Sequence, residues 1–239
     1  MLLVKRDYAI QFAGSFIGIA WSVIQSLSII LIYSIVFMFL NKTDSASNQI
    51  GFLFSGLLFW IPIQDMILKS TSILSENRNL IKKSNLGMDL FLLIPFIQML
   101  IQFFILSIPI FSIFFYYKQL NFSFILSYAW IFFIGIHVYF VSTYLATVNI
   151  LLKDLTPLIR LITQFLFWTL PIVYKPKNTL ETISYFNPLF SFLEVFRFLI
   201  LDFDLSSFTL YLLIYPICFS SIIFFLTKRR LHKIILDHL

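Results

Sequence analysis

The chain has 239 residues, of which 60% are hydrophobic, 19% aromatic and only 12% charged, with a mean hydropathy of +0.94. So little polar surface cannot coat a water-soluble globule of this length, which makes the chain an integral membrane protein of the all-α class. The formal charge of +6 and the pI near 9.4 fit contact with anionic lipid headgroups and are not read as the footprint of a nucleic-acid partner.

In chain order, residues 1–16 interleave Lys5, Arg6, Asp7 and Gln11 with Tyr8, Ile10, Phe12 and Phe16, which predicts an amphipathic helix lying in the membrane surface. Gly14, Gly18, Ser22 and Ser26 recur every fourth residue and predict one flat helix face that a neighbour can approach closely, with a dimer seam as the sharper version. Crossing a hydrocarbon core of about 30 Å takes about 20 apolar residues. Six runs qualify, over residues 19–40, 50–71, 90–116, 122–151, 158–174 and 207–227. They are continuous rather than alternating, which argues against a β-barrel. The first run is too long for a cleaved signal and has no A-x-A pattern, so it is expected to stay in the mature chain. Trp21 and Trp60 either anchor at the headgroups or fill the bundle.

Six crossings put both termini on one side. On that side fall Lys5, Arg6, Lys69, Arg78, Lys82, Lys83, Lys153, Arg160, Lys228, Arg229, Arg230 and Lys233, against Lys42, Lys118, Lys175, Lys177 and Arg197 on the other. That is twelve of the 17 basic residues against five, so the termini are expected to be cytoplasmic.

Two connections stand out. The cytoplasmic segment 75–89 contains Ser75, Glu76, Asn77, Arg78, Asn79, Leu80, Lys82 and Lys83. A serine at a plausible N-cap, an acid in the first turn and lysines near the end predict a short helix, and a plain solvated connection is the bland alternative. The outward segment 175–206 is apolar, is broken by Asn187-Pro188, and carries Glu194 and Arg197 three residues apart. It predicts two short helices dipping back into the outer leaflet, since broken backbone at that depth is tolerated only where protein or a water-filled cavity covers it. That makes it a candidate gate, and the plainer reading is a capping helix pair with a surface ion pair.

Chemistry of other kinds has little support. The single cysteine, Cys218, permits no intrachain disulfide, and His137, His232 and His238 are scattered. His137 reads either as a proton relay or as a histidine bonded to a neighbouring helix. Asp65, Lys69 and His137 lie within apolar runs but show no metal-ligand or catalytic spacing. No glycine is followed by lysine, so there is no P-loop, and no cofactor is expected on this chain. Internal repeats and midplane charges of the kind used in ion-coupled transport are absent or weak.

Taken in order, several short motifs resemble the ABC-2 type permeases that export bacterial polysaccharides such as O-antigen, capsule and teichoic acid. They are Arg6-Asp7 ahead of Gly14-Ser15-Phe16-Ile17-Gly18-Ile19-Ala20-Trp21-Ser22; Phe54-Ser55-Gly56-Leu57-Leu58-Phe59-Trp60; and Asn77 to Lys83. Later come Val148-Asn149-Ile150-Leu151-Leu152-Lys153-Asp154; Gln164 with Phe167-Trp168-Thr169-Leu170-Pro171-Ile172-Val173-Tyr174; and Asn187-Pro188-Leu189 leading to Glu194 and Arg197. The likeness spans nearly the whole chain as a single domain, 1–239. The chain departs from the family pattern at Gln25-Ser26 and Phe59, where prolines are common, and at Lys153, where arginine is usual.

The resemblance implies a homodimer of six-helix subunits in the bacterial inner, or cytoplasmic, membrane. Two copies of a cytoplasmic ATPase subunit would hold the ATP and magnesium. Lys5, Arg6 and Asp7, the residues Ser75 to Leu80 with Lys82 and Lys83, and Lys153 with Asp154 would couple to that ATPase. Tyr33, Phe37, Trp60 and Tyr174 would approach a path for a lipid-linked polysaccharide, and Asn187, Pro188, Glu194 and Arg197 would gate it. The alternatives are an exporter of drugs or small lipids with the same fold, and a membrane enzyme or scaffold of another class.

Overall fold

The computed structural model describes residues 1–18, 20–40, 46–83, 87–118, 120–174, 179–201, 203 and 205–227. Lys42, Lys175, Lys177, residues 84–86 and the basic tail from Lys228 onward, with His232 and His238, lie outside the described residues. Among those described, the elements are all helical: α1 (Leu2–Gln11), α2 (Ala20–Leu40), α3 (Ala46–Glu76), α4 (Arg78–Lys83), α5 (Met88–Tyr116) and α6 (Phe124–Leu151). There follow α7 (Leu155–Thr169), α8 (Thr179–Tyr185), α9 (Phe190–Leu201), α10 (Ser207–Leu212) and α11 (Ile214–Leu226).

Four stretches are long and apolar enough to cross a membrane: Ile50–Glu76, Met88–Tyr116, Phe124–Leu151 and Ser207–Leu226, the last running through α10 and α11. The outside of the bundle is as apolar as its inside. Leu31 and Ile32 on α2, Phe104 and Ile108 on α5, and Ile222 and Phe225 on α11 are all exposed, as lipid-facing side chains must be. The helix α7 has only 15 residues. At 1.5 Å per residue it extends about 22 Å, short of a full hydrocarbon core. The expected run 158–174 is helical only to Thr169, and the chain bends away over residues 170–174.

At the centre stands α3. It is apolar on nearly every side, with Leu57, Leu58, Phe59, Trp60 and Ile63 buried, as suits a helix surrounded by others. It packs along α5 and α6 and also touches α2, α7 and α9. Trp60 is therefore a core residue and not an interfacial anchor. Because α3, α5, α6 and α7 alternate in direction, the bundle has two distinct ends. One carries α1, α4 and the α6–α7 turn; the far end carries residues 170–174, α8 and α9.

Polar side chains inside the bundle join its helices. His137 Nδ1 lies 2.8 Å from Ser220 Oγ and links α6 to α11. Trp130 Nε1 donates to the Phe192 carbonyl at 3.0 Å, holding α9 against α6. Ser107 and Tyr128 meet at 2.8 Å between α5 and α6.

Two local expectations are corrected. Gly14 and Gly18 have positive φ (79° and 59°) and lie in the link between α1 and α2, so they do not share a helix face with Ser22 and Ser26. A left-handed backbone favours glycine at both places and turns the chain from α1 into α2. Ser75 does not cap α4. It sits inside α3 and donates to the Ser72 carbonyl at 2.7 Å, and the break falls at Asn77, whose carbonyl accepts from Leu80 N at 2.9 Å and Ile81 N at 3.0 Å.

The α5–α6 seam depends on Gly135, where an added Cβ would lie 2.7 Å from the Phe96 ring and 2.7 Å from Met99 Cε. Gly135→Val is therefore expected to destabilise the chain by about 1–3 kcal/mol through overpacking. A thermal melt of the detergent-purified variant checks this, and an unchanged midpoint would show that the seam has room to spare.

Candidate functional site

At the first end of the bundle, three residues on α1 and α3 form a charged knot. Asp7 is buried and its carboxylate lies 3.1 Å from Lys69 Nζ. Gln98 on α5 donates to the same carboxylate at 2.9 Å, and Lys69 also reaches Glu76 at 3.9 Å. Next to this, the Arg6 guanidinium donates to Asn77 Oδ1, while Asn77 Nδ2 donates to the Ile73 carbonyl at 2.9 Å. The α3–α4 junction is thus pinned to α1 by a side chain that also closes the last turn of α3. The first end presents an exposed polar fringe made of Lys5, Arg78, Asn79, Leu80, Lys82 and Lys83, with Lys153 and Asp154 exposed in the α6–α7 turn.

The far end is organised by Arg197, which is 0% exposed. Its Nη2 donates to the Pro171 carbonyl at 2.7 Å and the Phe52 carbonyl at 3.2 Å, its Nε to Ser55 Oγ at 3.4 Å, and its Nη1 to Glu194 at 3.1 Å. The guanidinium carbon also lies 3.7 Å from the centre of the Phe52 ring. A buried charge is tolerated only when paired and hydrogen-bonded, and a planar fork of five N–H donors can meet that demand where a lysine cannot. Glu194 and Arg197 are therefore more than a surface ion pair: they tie α9 to the start of α3 and to the bend after α7. Gly56 permits this approach, since a Cβ there would lie 3.0 Å from Arg197 Nη2 and 3.2 Å from Ile172 Cα.

Asn187 makes the neighbouring joint. Its Nδ2 donates to the Leu166 carbonyl at 2.9 Å and to Thr169 Oγ1 at 2.7 Å, and its Oδ1 accepts from Leu189 N at 2.9 Å. The Leu166 carbonyl, which also accepts from Leu170 N at 3.0 Å, gains a further donor in this way, and the turn through Pro188 into α9 is tied to the end of α7. The predicted pair of short helices is thus observed as α8 and α9, split at Asn187-Pro188.

Between the two ends runs a groove. Its larger part, of ≈ 470 Å³, is lined from α2, α3 and α7 and includes Tyr33, Trp60, Phe167 and Trp168. Tyr33 and Trp60 both pack against Phe167, with ring centres 5.6 and 5.9 Å apart. A second part, of ≈ 310 Å³, opens toward α1 and includes Tyr8, Gln98 and Gln102. Ser22, Gln25 and Asp65 border both parts. Of the four sequence candidates for a path, Tyr33 and Trp60 meet in this groove. Tyr174 does not line it, and its hydroxyl donates to the Trp168 carbonyl at 2.9 Å. Phe37 belongs to α2, but its side chain lies outside the described residues.

Sequence reasoning misses the amides of this groove. Gln25, Gln64, Gln98, Gln102 and Gln164 all sit in apolar runs and all border the groove, and of these only Gln164 falls in a motif singled out as a match to the family pattern. Amide side chains spaced along otherwise apolar spans are the signal that could have found it. Among the described residues, no three of His, Cys, Asp or Glu converge as metal ligands.

Fold and site together define a multi-pass helical membrane protein with a polar and aromatic groove between two braced ends. No family model matches the chain. It is similar to the O-antigen export system permease protein RfbA of Klebsiella pneumoniae, at 25% identity over 212 residues, covering 84% of this chain and 80% of that protein. It is also similar to the O-antigen export system permease protein RfbA of Myxococcus xanthus, at 24% identity over 184 residues, covering 76% of this chain and 70% of that protein. These similarities bear out the resemblance to ABC-2 type polysaccharide export permeases that the ordered motifs carry.

Two outcomes follow from the braces. Arg197→Ala takes the guanidinium donor from the Pro171 carbonyl and leaves Glu194 without its ion-pair partner, and should cost about 3–5 kcal/mol in the range of broken buried pairs. Arg197→Lys should recover little of it, because a single ammonium cannot reach all four acceptors. Melting of the purified variants measures both, and a lysine variant as stable as the parent would refute the clamp. Lys69→Met should free α1 from α3, seen as faster backbone hydrogen exchange over residues 2–11 with the far end unaltered; unchanged exchange there would mean that the knot holds nothing.

Proposed function

We propose that this chain is the membrane-spanning permease subunit of an ATP-driven exporter of lipid-linked polysaccharide, of the O-antigen, capsule or teichoic acid type. It acts as a homodimer in the bacterial inner, or cytoplasmic, membrane with two copies of a cytoplasmic ATPase subunit. In this reading α2 and α7 complete six crossings with the four long spans, both termini face the cytoplasm, and α8 and α9 dip into the outer leaflet.

The observation that supports it most is the pinning of α1 to the α3–α4 junction through Arg6, Asp7, Lys69 and Asn77. Two surface segments of one membrane face, joined to the central helix of the bundle, form a handle on which an outside protein can push. Closure of the ATPases on ATP displaces α1 and α4 together. Because α3 runs unbroken from that end to Phe52 and Ser55, the displacement reaches the Arg197 clamp on α9. A continuous helix that shifts between two packings is the physical means by which such a push changes which side of the groove is open. Glycan passes along the face of α2, α3 and α7, where aromatic rings offer flat apolar surfaces to sugar rings without demanding one pattern of hydroxyls.

The exposed lysines of α4 give the test. Reversing both charges, Lys82→Glu with Lys83→Glu, should abolish co-purification of the ATPase subunit and glycan export in cells while leaving membrane insertion intact. Undiminished co-purification would remove α4 from the ATPase contact. Export of a small drug but of no glycan by the parent complex would favour the narrower alternative of a drug or lipid exporter on the same fold.

A further inference from the structure

Asp65 is a carboxylate inside the span Ile50–Glu76, and placing such a group at membrane depth is costly unless it faces a partner or water. Among the described residues, no cation forms an ion pair with it. Gln102 Nε2 donates to its Oδ2 at 2.7 Å. Lys69, one turn further along α3, also lines the smaller part of the groove, but its charge is taken up by Asp7 at 3.1 Å and Glu76 at 3.9 Å. Asp65 is exposed, and it borders both parts of the groove at the point where they meet. An ionised carboxylate offers about four acceptor positions, so one amide donor leaves most of them open toward the groove.

What stands around it narrows the ligand. Gln25, Gln64 and Gln164 border the same space and can both donate and accept, and the exposed Trp168 supplies a flat apolar ring a little further along. The same Gln102 Nε2 also donates to Ser26 Oγ at 3.0 Å, so its amide is fixed between α2 and α3 and Asp65 is oriented by it. A carboxylate beside amides and aromatic rings suits a ligand that has adjacent hydroxyl donors on one side and C–H surface on the other. An anionic ligand would instead meet like charge in a space of reduced dielectric.

We infer that Asp65, oriented by Gln102, forms with Gln25, Gln64 and Gln164 a hydroxyl-binding step in the groove that accepts neutral sugar units and disfavours acidic ones. The inference rests on the export reading and adds to it a substrate class: a glycan whose repeating units are mainly uncharged. The carboxylate accepts from paired sugar hydroxyls, the amides complete the contacts, and the sugar then moves along the groove to the exposed ring of Trp168. The groove thereby discriminates by charge while tolerating varied arrangements of hydroxyls.

The test uses the full-length chain in lipid nanodiscs, titrated separately with maltohexaose and with hexagalacturonate and read by saturation-transfer NMR. The parent should bind maltohexaose at least about tenfold more tightly than the acidic hexamer, the scale of one charge-assisted hydrogen bond set against one repulsion. Asp65→Asn keeps an oxygen for Gln102 but loses the charge, so it should weaken maltohexaose by about tenfold and bring the two affinities together. Asp65→Glu should retain the preference for the neutral hexamer. Absence of maltohexaose binding by the parent, equal affinities for both sugars, or an unchanged ratio in Asp65→Asn would each overturn the inference. The charge-reversed α4 variant serves as the reference: it should bind maltohexaose like the parent even though it no longer captures the ATPase. Loss of ATPase capture and of glycan export by the parent would instead sink the export reading itself, so the two failures are distinguishable.

Discussion

A polar group inside hydrocarbon must be met by another polar group or by enclosed water, because an unmet one costs several kcal/mol. The fold is a set of answers to that demand. The charged knot, the Asp65–Gln102 bond and the Arg197 clamp all meet on α3, which carries Ser55, Asp65, Lys69, Glu76 and, just beyond its last turn, the junction residue Asn77. At one end α3 is bonded to α1 and α5, at the other to α9 through Arg197. Between them it borders the groove.

This arrangement makes α3 unlike the other long helices. The helices α6 and α11 turn apolar side chains to lipid and join their neighbours by single polar contacts such as His137 with Ser220. Their roles are those of a wall. The ends of α3 are instead joined by several bonds each, to α1 at one end and to the largely buried α9 at the other, so movement at one end is not absorbed by loose side chains before it reaches the other. The Arg197 clamp and the Asp7–Lys69 knot are also different in kind. The clamp uses a planar fork to bind three backbone or hydroxyl oxygens and one carboxylate, which fixes geometry. The knot uses a flexible ammonium placed between the buried Asp7 at 3.1 Å and the exposed Glu76 at 3.9 Å, a point charge rather than a fork.

Much of this is legible in the amino-acid sequence. Long apolar runs locate helices because backbone in lipid has few other ways to satisfy itself, and Asn187-Pro188 announces the break between α8 and α9. The ends of elements are harder. Gly14 and Gly18 continue a helical spacing with Ser22, but only the observed positive φ shows that they terminate a pattern rather than extend it. Ser75 has the chemistry of a cap, yet its hydroxyl is satisfied within α3, and Asn77 takes the junction because it can bond Ile73 and Arg6 at once. The clamp is out of reach for a different reason. Three of its oxygens come from Phe52, Ser55 and Pro171, far from Arg197 in sequence, and two of these are backbone carbonyls that no side-chain pattern reveals. The groove is half visible: aromatics are too numerous in this chain to single out the ones that line it, whereas the few amides within the apolar runs mark it more sharply.

If the handle formed by α1 and α4 is what moves the bundle, this subunit opens only when a companion protein works its surface helices. The direct measurement is reconstitution into sealed vesicles with the lipid-linked glycan that co-purifies with it, with and without the ATPase subunit, following appearance of glycan on the opposite face. Sustained transfer should require both the ATPase subunit and hydrolysable ATP. Accumulation of glycan against its gradient by this chain alone, with no nucleotide hydrolysed, would contradict it.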